Sequence, residues 1–235
     1  LNHDFNPRRM ERYLTVAFNS GASPVIVLTK ADLYPDYQSK IAEMEITAPG
    51  VPVHAVSVYT GLGMDALGQY ARPRATLVLL GSSGVGKSSL LNALAGSYEM
   101  RVNSTRDVDS SKGRHTTTHR QLIMLDSGAM VIDTPGMREL GMWCAGDGLD
   151  AAFPDVEAVL ARGCRFSNCR HESEPGCAVR AALENGELDP ERWRRYQALQ
   201  AENRRSDERQ ALKRERQEHM KGITMKRKEL KRKGR

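Results

Sequence analysis

One stretch limits the folds open to this chain more than any other: Gly81-Ser82-Ser83-Gly84-Val85-Gly86-Lys87-Ser88. Its glycines let successive backbone N–H groups turn inward around phosphate oxygens, and a helix starting at Lys87 adds its positive N-terminal end. In such a phosphate loop the lysine, Lys87, reaches the β- and γ-phosphates, and the Ser88 hydroxyl binds Mg²⁺. The alternative is a glycine-rich surface turn that matches by accident. The flanks argue against it: residues 76–80 read as a buried strand and 87–95 as a helix, the order a phosphate site needs.

The rest of the first two thirds fits the same frame. Asn6-Pro7 opens a helical pattern carried by Met10, Tyr13, Leu14, Ala17 and Phe18 and closed at Gly21. Residues 24–28 form a short β-branched strand, 51–57 a second strand after a helical stretch beyond Pro35, and 64–70 a short helix. The stretch 101–118 is polar and aperiodic, and strands 121–125 and 129–132 flank the turn Asp126-Ser127-Gly128. Strands alternating with helices predict an α/β fold with a mostly parallel sheet covered by helices on both faces. After about Met142 the pattern changes to short helical pieces, 155–161 and 177–184, around a cysteine cluster. A long charged helix with a solvated or frayed distal part then runs from Pro190. The expected division is a nucleotide-binding domain at 1–143 and a small, mainly helical metal-binding domain at 144–235.

Phosphate loops serve ATPases, kinases and GTPases alike, so the other strand ends decide. Asp133-Thr134-Pro135-Gly136 follows a strand 46 residues beyond Lys87. There Asp133 can hold Mg²⁺ through water, and Gly136 can offer its N–H to a γ-phosphate. Between the two lies Arg114-His115-Thr116-Thr117-Thr118, in which the Thr117 hydroxyl is the candidate to complete the Mg²⁺ shell from a loop that responds to the third phosphate. Thr29-Lys30-Ala31-Asp32 ends the strand at 24–28. The Asp32 carboxylate is an acceptor pair matching the N1–H and 2-amino donors of guanine; adenine has no such pair. The Lys30 stem would lie along the base or ribose. Ser57-Val58-Tyr59 ends the next strand and can supply a backbone N–H to guanine O6. The nucleotide read from these residues is GTP. An ATPase or kinase is opposed by Asp32.

Motif order is the unusual part. Base recognition precedes the phosphate loop, which is the arrangement of a circularly permuted GTPase domain, with 68–74 joining the old ends. The segment after Gly136 then leads directly into the cysteine-bearing part. Ras-like enzymes place a water-orienting Gln after this glycine. Here the position holds Met137, so slow intrinsic hydrolysis is expected, with His115 a candidate to orient water once a partner orders its loop.

Three of the four cysteines, with one histidine, form Cys164-x₄-Cys169-x-His171-x₅-Cys177, the ligand number and type of a closed tetrahedral zinc site. A Cys164–Cys169 disulfide is the competing account. Cys144 is spare, and His3, His54, His119 and His219 lack clustered partners. The net charge of +6 is a tail property: residues 201–235 carry 14 Lys/Arg against 6 Asp/Glu, leaving residues 1–200 slightly acidic. Phosphate contacts with counterion release are one reading of that tail, a solvated helix the other. Arg165 and Arg170 are further RNA candidates. With 40% apolar residues the chain can bury a core. Its apolar runs fall far short of the ~18–20 residues of a membrane span, and nothing at its start resembles a signal peptide.

The permuted motif order, the Cys/Cys/His/Cys spacing and the basic C-terminus closely resemble the ribosome small-subunit-dependent GTPase A family (RsgA, also called YjeQ). The matching stretches are 29–32, 81–89, 114–118, 133–136 and 164–177 with Glu174-Pro175-Gly176. They cover the chain from Asp4-Phe5-Asn6 to about Tyr196 and add Ser89 to the nucleotide site. The resemblance implies a monomeric bacterial cytoplasmic GTPase, with no membrane association, that acts late in assembly of the small (30S) ribosomal subunit. It would bind GTP/GDP with Mg²⁺, contact 16S rRNA, and be stimulated by the subunit. The alternative is an rRNA-binding scaffold indifferent to nucleotide. Family members usually begin with an OB-fold domain and a strand leading into the Asp-Phe-Asn segment; neither is present, so the chain reads as a fragment. The absent strand would lie between those at 24–28 and 76–80, and its omission is expected to leave backbone groups of both neighbours unpaired.

Overall fold

The computed structural model describes residues 1, 5–96, 121–133 and 146–233, with backbone alone at 121, 133, 146 and 221–233. The chain divides into two compact units, Leu1–Ala17 with Gly21–Leu140, and Gly141–Arg235 with Phe18–Ser20.

In the first unit, helix α1 (Pro7–Asn19) starts with Pro7 at a position where a helix needs no N–H, and Asn6 accepts the Arg9 N–H through its side chain at 3.3 Å. Strand β1 (Ile26–Leu28) pairs in parallel with β2 (Val53–Ala55), and α2 (Tyr37–Thr47) connects them. A short 3-10 turn, Ala31–Leu33, follows β1. Helix α3 (Met64–Gly68) precedes β3 (Thr76–Leu79), and α4 (Lys87–Ala95) follows the phosphate loop. Strand β5 (Met130–Asp133) lies between β3, which it pairs in parallel, and β4 (Gln121–Met124), which it pairs antiparallel. The antiparallel pair is set by a tight turn in which Leu125 N–H reaches Ala129 O at 2.8 Å and Gly128 N–H reaches Leu125 O at 2.9 Å.

The described strands form two sheets instead of the single sheet expected from the sequence. β1 pairs only with β2 and β3 only with β5, so no ladder crosses from β1 to β3, the place where a strand was expected to be wanting. Side chains hold the two sheets together. Val56, Leu67 and Leu90 form one apolar cluster, against which Val27 and Leu79 also pack. A second cluster sits on the α4 side of the three-stranded sheet, with Leu91, Ile123, Leu125 and Val131 at its centre. On the opposite face Val78, Leu122 and Met124 are exposed, so among the described residues the expected helical cover is found on one side of this sheet.

Gly63 precedes α3 at φ 68°, and a Cβ there would stand 2.2 Å from Ala55 O. Only glycine fits this close approach of loop to strand.

The second unit is helical: α5 (Gly146–Ala152), α6 (Pro154–Leu160), α7 (Ala178–Glu184) and α8 (Pro190–Lys233). Phe153, Val156, Val179 and Leu188 are fully or almost fully buried, and Trp193 and Tyr196 stack with centroids 5.6 Å apart. Arg192 is buried among them, with its guanidinium 4.1 Å from the Phe153 ring. Its Nε and Nη2 donate to Asp155 at 2.9–3.2 Å and Nη2 donates to Ala152 O at 3.0 Å, which offsets the cost of burying the charge. The Tyr196 hydroxyl donates to Glu157 at 3.0 Å, and burial raises the Glu157 pKa above the usual carboxylate range. Beyond these anchors α8 runs outward. Residues 211–220 are all exposed, and its 44 residues span about 66 Å at 1.5 Å each.

Candidate functional site

The phosphate loop leaves β3 at Gly81 and enters α4 at Lys87. Gly86 caps that helix at φ 101°, a conformation closed to ordinary side chains, and this turns the following amides toward the mouth of the loop. Lys87 Nζ donates to Gly81 O at 2.8 Å and to Ser82 O at 2.7 Å. The ammonium is therefore folded over the loop's own carbonyls, where an incoming phosphate oxygen would compete for it. Ser88 and Ser89 lie in the first turn of α4, partly buried.

Residues far away in sequence grip the same loop. Thr29 Oγ1 donates to Val85 O at 2.5 Å, and Lys30 Nζ donates to Gly84 O at 2.9 Å. Lys30 sits in the left-handed region at φ 61°, which reverses the chain so that Asp32 enters the 3-10 turn with its side chain exposed. Ala31 N–H donates to Val56 O at 3.1 Å, joining this turn to the end of β2. Just beyond, buried Ser57 organises its loop. Its Oγ accepts the N–H groups of Tyr59 and Thr60, both at 3.2 Å, and its own N–H reaches Leu62 O at 2.9 Å. Of the three amides after Ser57, those of Tyr59 and Thr60 are thus engaged by its hydroxyl. Thr29 and Lys30 are thus tied to the phosphate loop, and Ala31 to Val56, next to Ser57. On the backbone, Asp133 stands opposite Leu79 where β5 and β3 end side by side, at the mouth of the loop. His115, Thr117, Gly136, Met137 and Cys144 lie outside the described residues, as does the side chain of Asp133.

One residue escaped the sequence reading. Arg9, in the first turn of α1, donates from Nη1 to Ser82 Oγ at 2.6 Å, across 73 positions. No motif marks it; only its place after an Asn-Pro helix start hinted that the side chain had a fixed direction. Arg9→Ala is expected to weaken nucleotide affinity about three- to tenfold, the scale of one ordinary net hydrogen bond, because the contact only shapes the loop in advance. Calorimetry with GDP and GTP checks this, and an unchanged affinity would count against it.

In the second unit Cys164, Cys169, His171 and Cys177 converge, with all four donor atoms within 4.8 Å of one another. His171 Nδ1 lies 3.5 Å from Cys164 Sγ, 3.7 Å from Cys169 Sγ and 3.4 Å from Cys177 Sγ, and the Cys164–Cys177 separation is 3.9 Å. Bond lengths of about 2.3 Å to thiolate and 2.0–2.1 Å to imidazole give tetrahedral edges of about 3.8 and 3.6 Å, so these four fit a single tetrahedral cation. All three cysteines are free thiols, which sets aside the Cys164–Cys169 disulfide. The Ala178 N–H donates to Cys164 and holds its pKa below the ordinary thiol value, while desolvation raises Cys169 to about 11. His171 is held at φ 64° with its ring edge-on to Trp193, 5.7 Å between centroids. Glu174 fixes the intervening loop by accepting the N–H groups of Arg170, Glu172 and Ser173 at 2.8–3.0 Å. These bonds, the Arg170 N–H first, hold its pKa at about 2.

A parallel strand, glycine-rich loop and helix, tied to a turn from an earlier strand, define an α/β unit of the phosphate-loop class, and a Cys₃His cluster in the second unit could hold a metal ion. A family model described as RsgA GTPase matches residues 1–143. The chain belongs to the RsgA GTPase family. It is 53% identical over 202 residues to a Listeria monocytogenes protein named small ribosomal subunit biogenesis GTPase RsgA 2, a match covering 86% of this chain and 58% of that one. A Streptomyces avermitilis protein named small ribosomal subunit biogenesis GTPase RsgA is 51% identical over 200 residues, covering 84% and 53%. The chain thus spans little more than half the length of these relatives. Among solved structures, YjeQ from Thermotoga maritima superposes with TM-score 0.61 at 32% identity, covering 83% of this chain and 65% of that one. YloQ, described as a circularly permuted GTPase, gives 0.57 at 29% identity, covering 86% and 64%. No described helix is long and apolar enough to cross a membrane.

Proposed function

We propose that this chain binds GTP with Mg²⁺, hydrolyses it to GDP and phosphate, and does so during maturation of the small ribosomal subunit, which stimulates the reaction. The observation that carries this reading is the double tie of Thr29 and Lys30 to the carbonyls of Val85 and Gly84. It fixes the base-reading turn to the phosphate cradle, so that base and phosphates are recognised as one ligand. The relatives' names, which specify a GTPase of small-subunit biogenesis, support the biological setting.

In this proposal Asp32 accepts from guanine N1–H and the 2-amino group, the Val58 N–H meets O6, and the Lys30 stem supports the purine. The amides from Ser83 to Ser89 cradle the phosphates while Lys87 leaves its carbonyls for the β- and γ-oxygens. Ser88 and Thr117 would hold Mg²⁺, and Asp133 would hold it through water. Gly136 would present its N–H to the γ-phosphate. A metal ion neutralises the charge that develops on the transferred phosphoryl group. Water attacks the γ-phosphorus, the bond to the β–γ bridging oxygen breaks, and GDP leaves with that oxygen. Because Met137 cannot orient water, His115 with a group from the subunit is assigned that task, in an enzyme class where a trans-acting group contributes roughly 10³–10⁵-fold.

We assign the Cys164, Cys169, His171, Cys177 cluster one structural zinc ion, since four protein donors leave no open position for chemistry. The domains are taken as 1–143 for the nucleotide and 144–235 for zinc and rRNA, in a monomeric cytoplasmic protein. The deciding experiment measures phosphate release from GTP with and without small subunits, using Lys87→Ala as control. Stimulation that vanishes in the variant is the expected result. Equal, negligible release in both conditions, with subunit binding unaffected by nucleotide, would mean the protein is an rRNA-binding scaffold.

A further inference from the structure

The loop at 164–171 carries more than metal ligands. Phe166 is 43% exposed, and the Arg165 guanidinium lies 5.6 Å from its ring centroid. Arg165 and Arg170 are exposed on either side of the ring in sequence. Neighbouring arginines are neutralised: Arg162 by Glu187 and Arg180 by Glu184. Among the described residues Arg165 and Arg170 have no ion pair, and the nearby Glu174 carboxylate is engaged by backbone N–H groups. The backbone beneath the three side chains is pinned. Arg165 N–H reaches Gly176 O at 3.0 Å, Cys169 N–H reaches Phe166 O at 3.2 Å, and Arg170 N–H reaches Glu174 Oε1 at 2.8 Å. A bound cation would clamp both ends of the loop. The aromatic ring is thus displayed on a stiff tip between two arginines that make no ion pair among the described residues, and little order remains to be imposed on binding.

We propose that Arg165, Phe166 and Arg170 form a stacking site for one unpaired RNA base. The base rests on the face of the Phe166 ring that Arg165 leaves open, the Arg165 guanidinium backs the ring from its other face, and Arg170 takes the adjoining phosphate. This rests on the rRNA reading above and adds the form of RNA engaged: a single-stranded stretch, loop or bulge. Paired bases in an A-form helix have their faces covered by neighbours and cannot stack on a side chain. A phosphate-only contact or an acidic peptide would use the two arginines and leave the ring without a function. Base–aromatic stacking survives changes of base, because every base has a π-face.

The test uses the zinc-loaded full chain and fluorescence anisotropy with an oligouridine of about twelve nucleotides, against an RNA duplex of equal length. The oligouridine is expected to bind more tightly. Phe166→Ala should weaken it about tenfold while leaving zinc content, duplex affinity and salt dependence unchanged; Phe166→Tyr should restore binding. Arg170→Gln should lower the salt slope by about one. As a direct signature, the indole emission introduced by Phe166→Trp should be quenched by oligouridine and not by duplex. Equal oligouridine affinity for Phe166→Ala and the parent overturns the stacking site, as does unquenched indole emission from a Phe166→Trp chain that binds oligouridine. Loss confined to Arg170→Gln also overturns it, leaving a phosphate contact. A parent chain that binds neither RNA overturns the rRNA reading itself, which is a distinct outcome.

Discussion

Stripping the cation from Cys164, Cys169, His171 and Cys177 is expected to melt the 163–177 segment and lower the melting temperature of the second unit by more than about 10 °C. The segment buries little apolar surface of its own, with Phe166 43% exposed, and its loop hydrogen bonds are individually modest beside four metal bonds. Isolated zinc-finger peptides draw about 10–16 kcal/mol of apparent free energy from their metal. This unit keeps an apolar core of its own around Phe153, Val156 and Trp193, so only part of that scale applies. Even ~3 kcal/mol suffices, at roughly 4–8 °C per kcal/mol for a domain of this size. Chelation followed by limited trypsin digestion checks the claim, because Arg165 and Arg170 should become early cleavage sites. Cys177→Ser should behave like chelation, since Cys177 is buried and also caps α7 through a contact with the Arg180 N–H at 3.5 Å. Affinity for the cation should fall on acidification, because His171 must be neutral and the thiols ionised to bind. Unchanged melting after verified metal removal would show that the cluster is not structural.

Asp32→Asn is expected to cost about 10²–10⁴-fold in guanine nucleotide affinity. Each bond from N1–H and the 2-amino group to a carboxylate contributes roughly 1.5–3 kcal/mol. An amide keeps one acceptor and presents a donor where the carboxylate accepted, so xanthine nucleotides should gain what guanine nucleotides lose. The change is local: Asp32 is exposed, and the turn around it is set by the Lys30 backbone and the Ala31–Val56 bond. Competition calorimetry with guanine, xanthine and adenine triphosphates gives the readout. An Asp32→Asn chain that still prefers guanine would remove the basis for assigning this turn to the base.

Much of this site was legible because its chemistry demands particular residues at fixed chain distances. The glycine spacing before Lys87, the Asp after Lys30 and the Cys/His spacing each follow from local geometry that sequence neighbours create. Strand limits were less exact: β2 occupies Val53–Ala55 within an apolar stretch of 51–57, and β5 begins one residue later than its hydrophobic pattern suggests. Pairing partners decide where a ladder starts, and a linear pattern carries no partner. Helix α5 was missed for a related reason, since Gly146-Asp147-Gly148 has poor helix propensity and Leu149 and Ala152 gain their burial only from the helices around them.

The sequence alone determined which ligand chemistry the chain can offer, because a carboxylate, an ammonium, a glycine-lined cradle and a set of thiols are properties of residue types and local spacing. The tertiary structure decided how these parts are held. Thr29 and Lys30, just past a strand whose sheet is separate from that of β3, close on Val85 and Gly84, Arg9 reaches Ser82 from another helix, and Phe166 stays outside while Trp193 goes in. Those outcomes depend on contacts between residues dozens of positions apart. Their free energies are set by packing and burial in three dimensions, which no local window of sequence contains.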